Sequence, residues 1–337
     1  MTRAVDSATR QRGAALLTAL IIVSVVATIA AAMVWQQWRA VQVESAERAR
    51  TQSAWILSGA LDWARLILRE DLRASSTIDH LGEPWAVPLA EARLSTFLAA
   101  EAQVADDAPD AFLSGAITDA QGKLNLNMLV GGGRVPSEPW TLALQTLCTN
   151  VGVSADVALR IRAGLIATTP LPAAAASGAS APAPAAADLA GERPLQPQSV
   201  EQLAWLGIEP EAVRALTPYV TLLPTTTAVN VNTAPRELLA AVLGIDMATA
   251  ERLVQVRQRT PFKNADELRQ QLVNPQTDLS LATYRSDWFE VRGRLRLDSV
   301  VLEQKSLVRR PPSGPVIVIR RERVSSQDTA LMQPVEK

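Results

Sequence analysis

The sequence predicts an α+β fold: a long N-terminal helix packed on an antiparallel sheet, with a large helical insertion. Three observations predict it. No proline interrupts residues 14–72, and their apolar positions recur at helical spacing. Phe289, Val291, Gly293, Leu295 and Leu297 alternate strictly with Glu290, Arg292, Arg294 and Arg296, the period of a half-buried strand. Between these ends lies a block, roughly 136–283, patterned mainly as helices.

The chain has 337 residues, enough for one large domain or two modest ones. Its formal net charge of -1 shows neither the basic excess of a nucleic-acid binder nor the acidic excess of a disordered chain. One cysteine, Cys148, allows no internal disulfide, and any histidine chemistry would rest on His80 alone. No P-loop, dinucleotide fingerprint or HExxH motif occurs, no catalytic residue is assigned, and the expectation is a protein that is not an enzyme.

The N-terminus carries the strongest signal. Residues 1–13 are polar, with Arg3, Arg10 and Arg12 against Asp6. From Ala14 to Trp38 no residue is charged, and the run is long enough to cross a hydrocarbon core of roughly 30 Å. Trp35 and Trp38 lie at its far end, where indoles favour the interface. Residues 14–38 therefore read as a single membrane span with a cytoplasmic N-terminus and a periplasmic remainder. The run is too long for a cleaved signal peptide, although a plain signal anchor has the same features. A stripe through Trp38, Val41, Ala49, Ile56, Ala60, Trp63 and Ile67, flanked by Leu57, Leu61, Ala64 and Leu68, continues the helix onto a globular domain.

Further along, Asp119-Ala120-Gln121-Gly122 reads as a turn, and Leu124 and Leu126 alternating with Asn125 and Asn127 read as a half-buried strand. Gly131-Gly132-Gly133 follows as a flexible exit. Helical spacing starts at Leu142, Leu144, Leu147 and Val151 and continues from Ala155 to Leu165. Residues 171–188 are nearly all alanine, proline, serine and glycine, and read as a disordered insertion. Helices resume near Val200 and at Pro210 to Tyr219. Asp298-Ser299 turns the chain, Val300 to Val308 and Pro315 to Arg321 supply two more strands, and 326–337 is a flexible tail.

In residues 228–268, Thr233 is placed to cap a helix with Pro235 in its first turn. Leu243-Gly244-Ile245 breaks that helix, and Ala248, Ala250, Leu253, Val254 and Arg257 form the next. This resembles a helix-hairpin-helix module; Val151-Gly152-Val153 and Leu206-Gly207-Ile208 resemble weaker copies of its turn. Such modules often hold DNA phosphates, so a membrane-anchored periplasmic DNA-uptake receptor is the competing function. Against it, Asp246 stands beside the turn that would cradle a phosphate, and Arg252, Arg257, Arg259 and Lys263 are offset by Glu251, Asp266 and Glu267. Nucleic acid is not the expected partner.

Arg12-Gly13-Ala14 at the cytoplasmic edge of the apolar run resembles a type IV prepilin cleavage site. The resemblance implies that a prepilin peptidase cuts after Gly13 and that Ala14 becomes N-methylated. Most such subunits carry glutamate five residues after the cut; here Thr18 stands there. In pilin-like fibres that glutamate offsets the N-terminal ammonium of a neighbouring subunit in an apolar setting, where an isolated charge is costly. The family lacking it is the K-class minor pseudopilin of the type II secretion system (general secretion pathway protein K), which this sequence resembles also at Leu81–Ala86 and Gly115–Leu129.

The resemblance implies a pilin-like fold: leader 1–13, first part of the periplasmic domain 39–130, inserted helical domain 131–283, and C-terminal sheet 284–325. It implies an inner-membrane subunit at the tip of the pseudopilus, marked by Thr18, that nucleates assembly and supports export of folded proteins from the periplasm. The implied partners are the H-, I- and J-class minor pseudopilins, the major pseudopilin, prepilin peptidase and the inner-membrane assembly platform. Secreted substrates and the outer-membrane secretin are further candidates. No cofactor is required, but the family is associated with structural Ca2+. Asp106, Asp107 and Asp110, and Asp278, Asp287 and Asp298, are acidic positions without assignable ligand roles.

Overall fold

The computed structural model describes residues 7–74, 77–94, 111–131, 137–169, 195–297 and 300–324, without the side chains of 7–13 and 300. Residues 1–6 of the leader, Asp106, Asp107 and Asp110, Gly132 and Gly133, the segment 171–188, Asp298-Ser299 and the tail 326–337 lie outside the described residues. The chain divides into two units, the first ending at Ser58 and the second beginning at Gly59.

The first unit is helical. Helix α1, Ser7–Ala74, begins in it and continues into the second unit. Its apolar run is exposed throughout, from Leu16 to Trp38, and this is a helix long and apolar enough to cross a membrane. With no core to receive them, these side chains require an apolar surrounding or partner helices.

The second unit holds a five-stranded antiparallel sheet in the order β1-β2-β7-β8-β9. Its strands are β1 Leu89–Arg93, β2 Ala111–Asp119, β7 Trp288–Leu297, β8 Val300–Arg309 and β9 Ile317–Val324. The chain leaves the sheet after β2 and re-enters it beside β2, with Ala111 opposite Leu297 and Asp119 opposite Phe289. The last turns of α1 pack on one sheet face. Leu61, Ala64 and Leu68 meet Ile117, Phe289, Val291, Val308 and Val316, and Trp85 stands edge-on to Phe289 at 5.1 Å. Burying a side chain such as Leu68, 0% exposed, contributes about 1.5–3 kcal/mol. Trp63 is not part of this face: it is 51% exposed, because the Leu61–Ala64–Leu68 row points at the sheet and turns its neighbour outward.

Between β2 and β7 lies a second core, built from short strands and helices. The strands are β3 Leu124–Asn125, paired in parallel with β4 Val220–Thr221, and β5 Val229–Asn230, paired in parallel with β6 Ala282–Thr283. The helices are α2 Glu138–Asn150, α3 Asp156–Thr168, α4 Pro210–Leu216, α5 Arg236–Leu243, α6 Met247–Arg259 and α7 Ala265–Arg269. Leu144, Leu147, Ile161, Leu203, Leu238 and Leu253 are among its buried members. Ala120, Leu223, Trp288 and Leu307 form a small cluster connecting this region to the sheet.

One local expectation is corrected. The strand through Leu124–Asn127 is only two residues long and passes into a 3-10 turn, Leu126–Leu129. Asn125 points inward, where its amide bonds the backbone at Leu223 and Thr225, so the apolar-polar alternation did not mark an exposed face. Near Val200 the expected helix forms, as a 3-10 helix over Val200–Leu206.

Candidate functional site

Three places could carry function: the start of α1, the glycine turns of the helical region, and a buried polar network that the sequence reading missed.

The Gly13–Ala14 bond lies inside the helical backbone of α1. Thr18 is exposed, and its Oγ1 donates to the Ala14 carbonyl at 2.9 Å. A hydroxyl in this position satisfies itself on its own helix, whereas a carboxylate would need a cation.

Three turns share one design. Gly152, Gly207 and Gly244 have φ of 77°, 76° and 60°, the left-handed region in which glycine carries no Cβ penalty. Gly244 ends α5, and Asp246 caps α6 by accepting from the Thr249 amide at 2.9 Å and its hydroxyl at 2.7 Å. Those bonds hold the exposed Asp246 carboxyl below its usual range, so it stays charged where a phosphate would sit. At the second turn, Glu209 pairs with Arg160 at 2.6 Å, which also reaches the Gly207 carbonyl. Arg257 is buried and donates to the Val231 carbonyl at 2.5 Å; burial lowers its guanidinium to about 10. It is thus a structural donor and not one of a set of surface cations. Nor does Thr233 cap α5: the assigned cap is Pro235, and Thr233 Oγ1 donates to Asp119 at 2.6 Å.

The buried network is centred on Arg310, 1% exposed. Its guanidinium donates to Asp71 of α1 at 2.7 Å, to Asp79, and to the Ser286 carbonyl at 2.9 Å, with the Phe289 ring 4.7 Å away. Glu83 adds a third buried carboxylate, which accepts from Trp85 Nε1 at 2.7 Å and the His80 amide at 3.0 Å. Asn230, 0% exposed, donates to Asp119, the Ser286 hydroxyl and the Asp79 carbonyl, and Ser286 Oγ donates to Asp119 at 2.6 Å. One continuous set of bonds therefore joins α1, the sheet and β5. Burial, reinforced by Glu83, pushes the Asp71 carboxyl up to about 6 against the opposing pull of Arg310. Burial likewise raises Glu83 and Asp119.

His80 is half-buried in the irregular segment beside this network; burial lowers its imidazole, and Nδ1 accepts from the Gly82 amide. Cys148 is fully buried, its thiol pushed up to about 11, which removes nucleophilic character.

Two family models, both described as type II secretion system protein K, match residues 122–225 and 229–291. The type II secretion system protein K of Pseudomonas aeruginosa PAO1 is 28% identical over 325 residues, covering 93% of this chain and 92% of its own length. That of Pectobacterium carotovorum subsp. carotovorum is 27% identical over 317 residues, with 89% and 92% covered.

The chain belongs to the type II secretion system protein K family.

A solved structure described as the GspK–GspI–GspJ complex from the enterotoxigenic Escherichia coli type 2 secretion system contains a chain with the same fold. The TM-score is 0.59 at 21% identity, over 83% of this chain and 99% of that one. Protein K is a minor pseudopilin, a structural secretion component and not an enzyme.

For the structural calcium that the sequence resemblance implies, the described residues offer one group of three acidic side chains, Asp71, Asp79 and Glu83, with ligand atoms within 4.8 Å of one another. It does not fit a calcium ion, because the Arg310 guanidinium already stands between Asp71 and Asp79. Asp278 caps its own loop at Ser280, and Asp287 pairs with Arg285 at 2.9 Å; the fold does not join them to that group.

The network makes stability pH-dependent. Asp71 is raised in the fold above its unfolded value of 3.8, so the native state holds its proton more tightly. Its contribution is greatest below about pH 4 and is lost as pH rises through about 6, a change of about 1–3 kcal/mol. His80, lowered in the fold, acts in the opposite direction. Thermal melts of wild type and Asp71→Asn from about pH 4 to about pH 7.5 separate the two, and the expected difference is a steeper loss in wild type as pH rises. Parallel profiles would remove Asp71 as the source.

Proposed function

We propose that this chain is the tip subunit of a type II secretion pseudopilus, nucleating its assembly and so supporting export of folded proteins across the outer membrane. The observation that carries the reading is Thr18, whose hydroxyl is turned onto the Ala14 carbonyl within an uncharged apolar run. In our reading, cleavage after Gly13 leaves a methylated Ala14 as the new N-terminus. A following subunit can then use its own carboxylate toward that ammonium, while this chain offers none to a subunit ahead of it. Small residues such as Ala15, Ala19, Ala27 and Ala30 would let other apolar helices approach closely.

The relative of known structure was solved with GspI and GspJ. By that likeness the partners are the I- and J-class subunits. The H class, the major pseudopilin, the prepilin peptidase, the assembly platform, the secretin and exported substrates extend the same reading. The region between β2 and β7 serves as a helical insert of a pilin-like domain, and the Gly152, Gly207 and Gly244 turns as helix-hairpin-helix-type structural joints. Support for structural use is that Asp246 and Glu209 occupy the turns with carboxylates while Arg257 is buried.

Thr18→Glu tests the tip assignment. The expected result is that the variant becomes incorporated along fibres, giving labelled protein at many positions in place of one end, with reduced secretion. Wild-type protein already spread along the fibre would end this reading.

A further inference from the structure

The sheet has a second face, turned away from α1. Phe289 and Val291 point into the helix-facing core, so the alternate residues of β7 project to the other side. There Arg292, Arg294 and Arg296 form a row with a repeat of about 6.8 Å, two strand residues. The row is held in place. The Arg296 guanidinium lies 4.0 Å over the Phe112 ring and 2.8 Å from Glu91, and Arg93 approaches the same ring from β1. Arg292 reaches both Glu290 and Glu303. Arg294, exposed between them, makes no ion pair among the described residues. On β2, Phe112 stands opposite Arg296, and the small residues Ser114 and Ala116 stand opposite Arg294 and Arg292. Toward its upper end, Lys305 lies 3.0 Å from Glu290 at the mouth of a cleft against the helical region, lined also by Lys123, Thr217 and Arg320.

We propose that this row is a docking surface for an extended acidic polypeptide segment carrying carboxylates on alternate residues. An extended chain presents same-side groups at the repeat of the arginines, and guanidinium forks bind carboxylates in two-point fashion. Ser114 and Ala116 leave room beside the row for the docked backbone. Glu91, Glu290 and Glu303 interleave with the cations, which disfavours a continuous polyanion such as DNA or an anionic bilayer. The inference is independent of the position of the subunit in a fibre.

The test uses the full chain in neutral detergent and a fluorescein-labelled peptide of five Glu-Thr repeats, read by fluorescence anisotropy at low and high salt. Binding that weakens with salt is expected, reduced on the order of tenfold by Arg294→Glu and less by Arg294→Gln. Arg214→Glu, an exposed change in the helical region, should leave it unaltered, and a Lys-Thr peptide should not bind. Melting temperatures of the variants verify folding. Equal affinity for wild type and both Arg294 variants overturns the proposal. So does tighter, Arg294-dependent binding of duplex DNA or of phosphatidylglycerol vesicles.

Discussion

Replacing Arg310 with methionine is expected to destabilise the second unit by about 3–5 kcal/mol, a large part of the margin of a domain this size. Methionine fills much of the arginine volume, so the loss is electrostatic and not a cavity effect. The change leaves Asp71, Asp79 and Glu83 buried together without their cation, and the Ser286 carbonyl without its donor. Chemical denaturation of the full chain in detergent should give an earlier midpoint. The loss should shrink at low pH, where the carboxylates take protons and no longer repel. Adding Asp71→Asn and Asp79→Asn to Arg310→Met should recover part of it, since the amides keep acceptors for neighbouring donors and carry no charge. A neutral effect of Arg310→Met at pH 7 would show that the guanidinium does not hold α1 to the sheet.

Gly13→Leu is expected to block leader removal and, with it, secretion. In the structure the helical backbone runs through the Gly13–Ala14 bond, so a peptidase must open it to reach the carbonyl. Glycine lowers the cost of opening by about 0.5–1 kcal/mol and puts no side chain in the path of attack. Leucine favours the helix and crowds the bond. Intact-mass measurement of membrane-extracted protein should find residues 1–13 retained in the variant. In wild type the chain should begin at a methylated Ala14. A variant still cut at that bond would remove the leader assignment.

The patterns of longest range were legible in the chain. The alternation of β7 and the helical spacing of Leu61, Ala64 and Leu68 reflect burial on one side of a regular element, which periodicity records directly, and the uncharged run before Arg39 is apolar on every side, which composition records. The left-handed turns at Gly152, Gly207 and Gly244 were legible because a local backbone requirement selects glycine. Thr233 and Asn125 misled because each looked like a local or exposed group. Each instead bonds a partner about a hundred residues away, and spacing along the chain carries no trace of that.

The sequence by itself determined that a membrane-length helix leads into a half-buried sheet and that the glycine turns punctuate a helical region. Short-range sterics and the separation of apolar from polar faces are written residue by residue. Only the tertiary structure decided that Asp71, Asp79 and Glu83 meet Arg310 from far along the chain in one buried cluster, and that Phe112, Glu91 and Glu303 stand beside the arginines that period two already puts on one face of β7. Coulombic and hydrogen-bond energies depend on distance in space, and that distance exists only once β8 has paired with β7 and α1 has settled on the sheet.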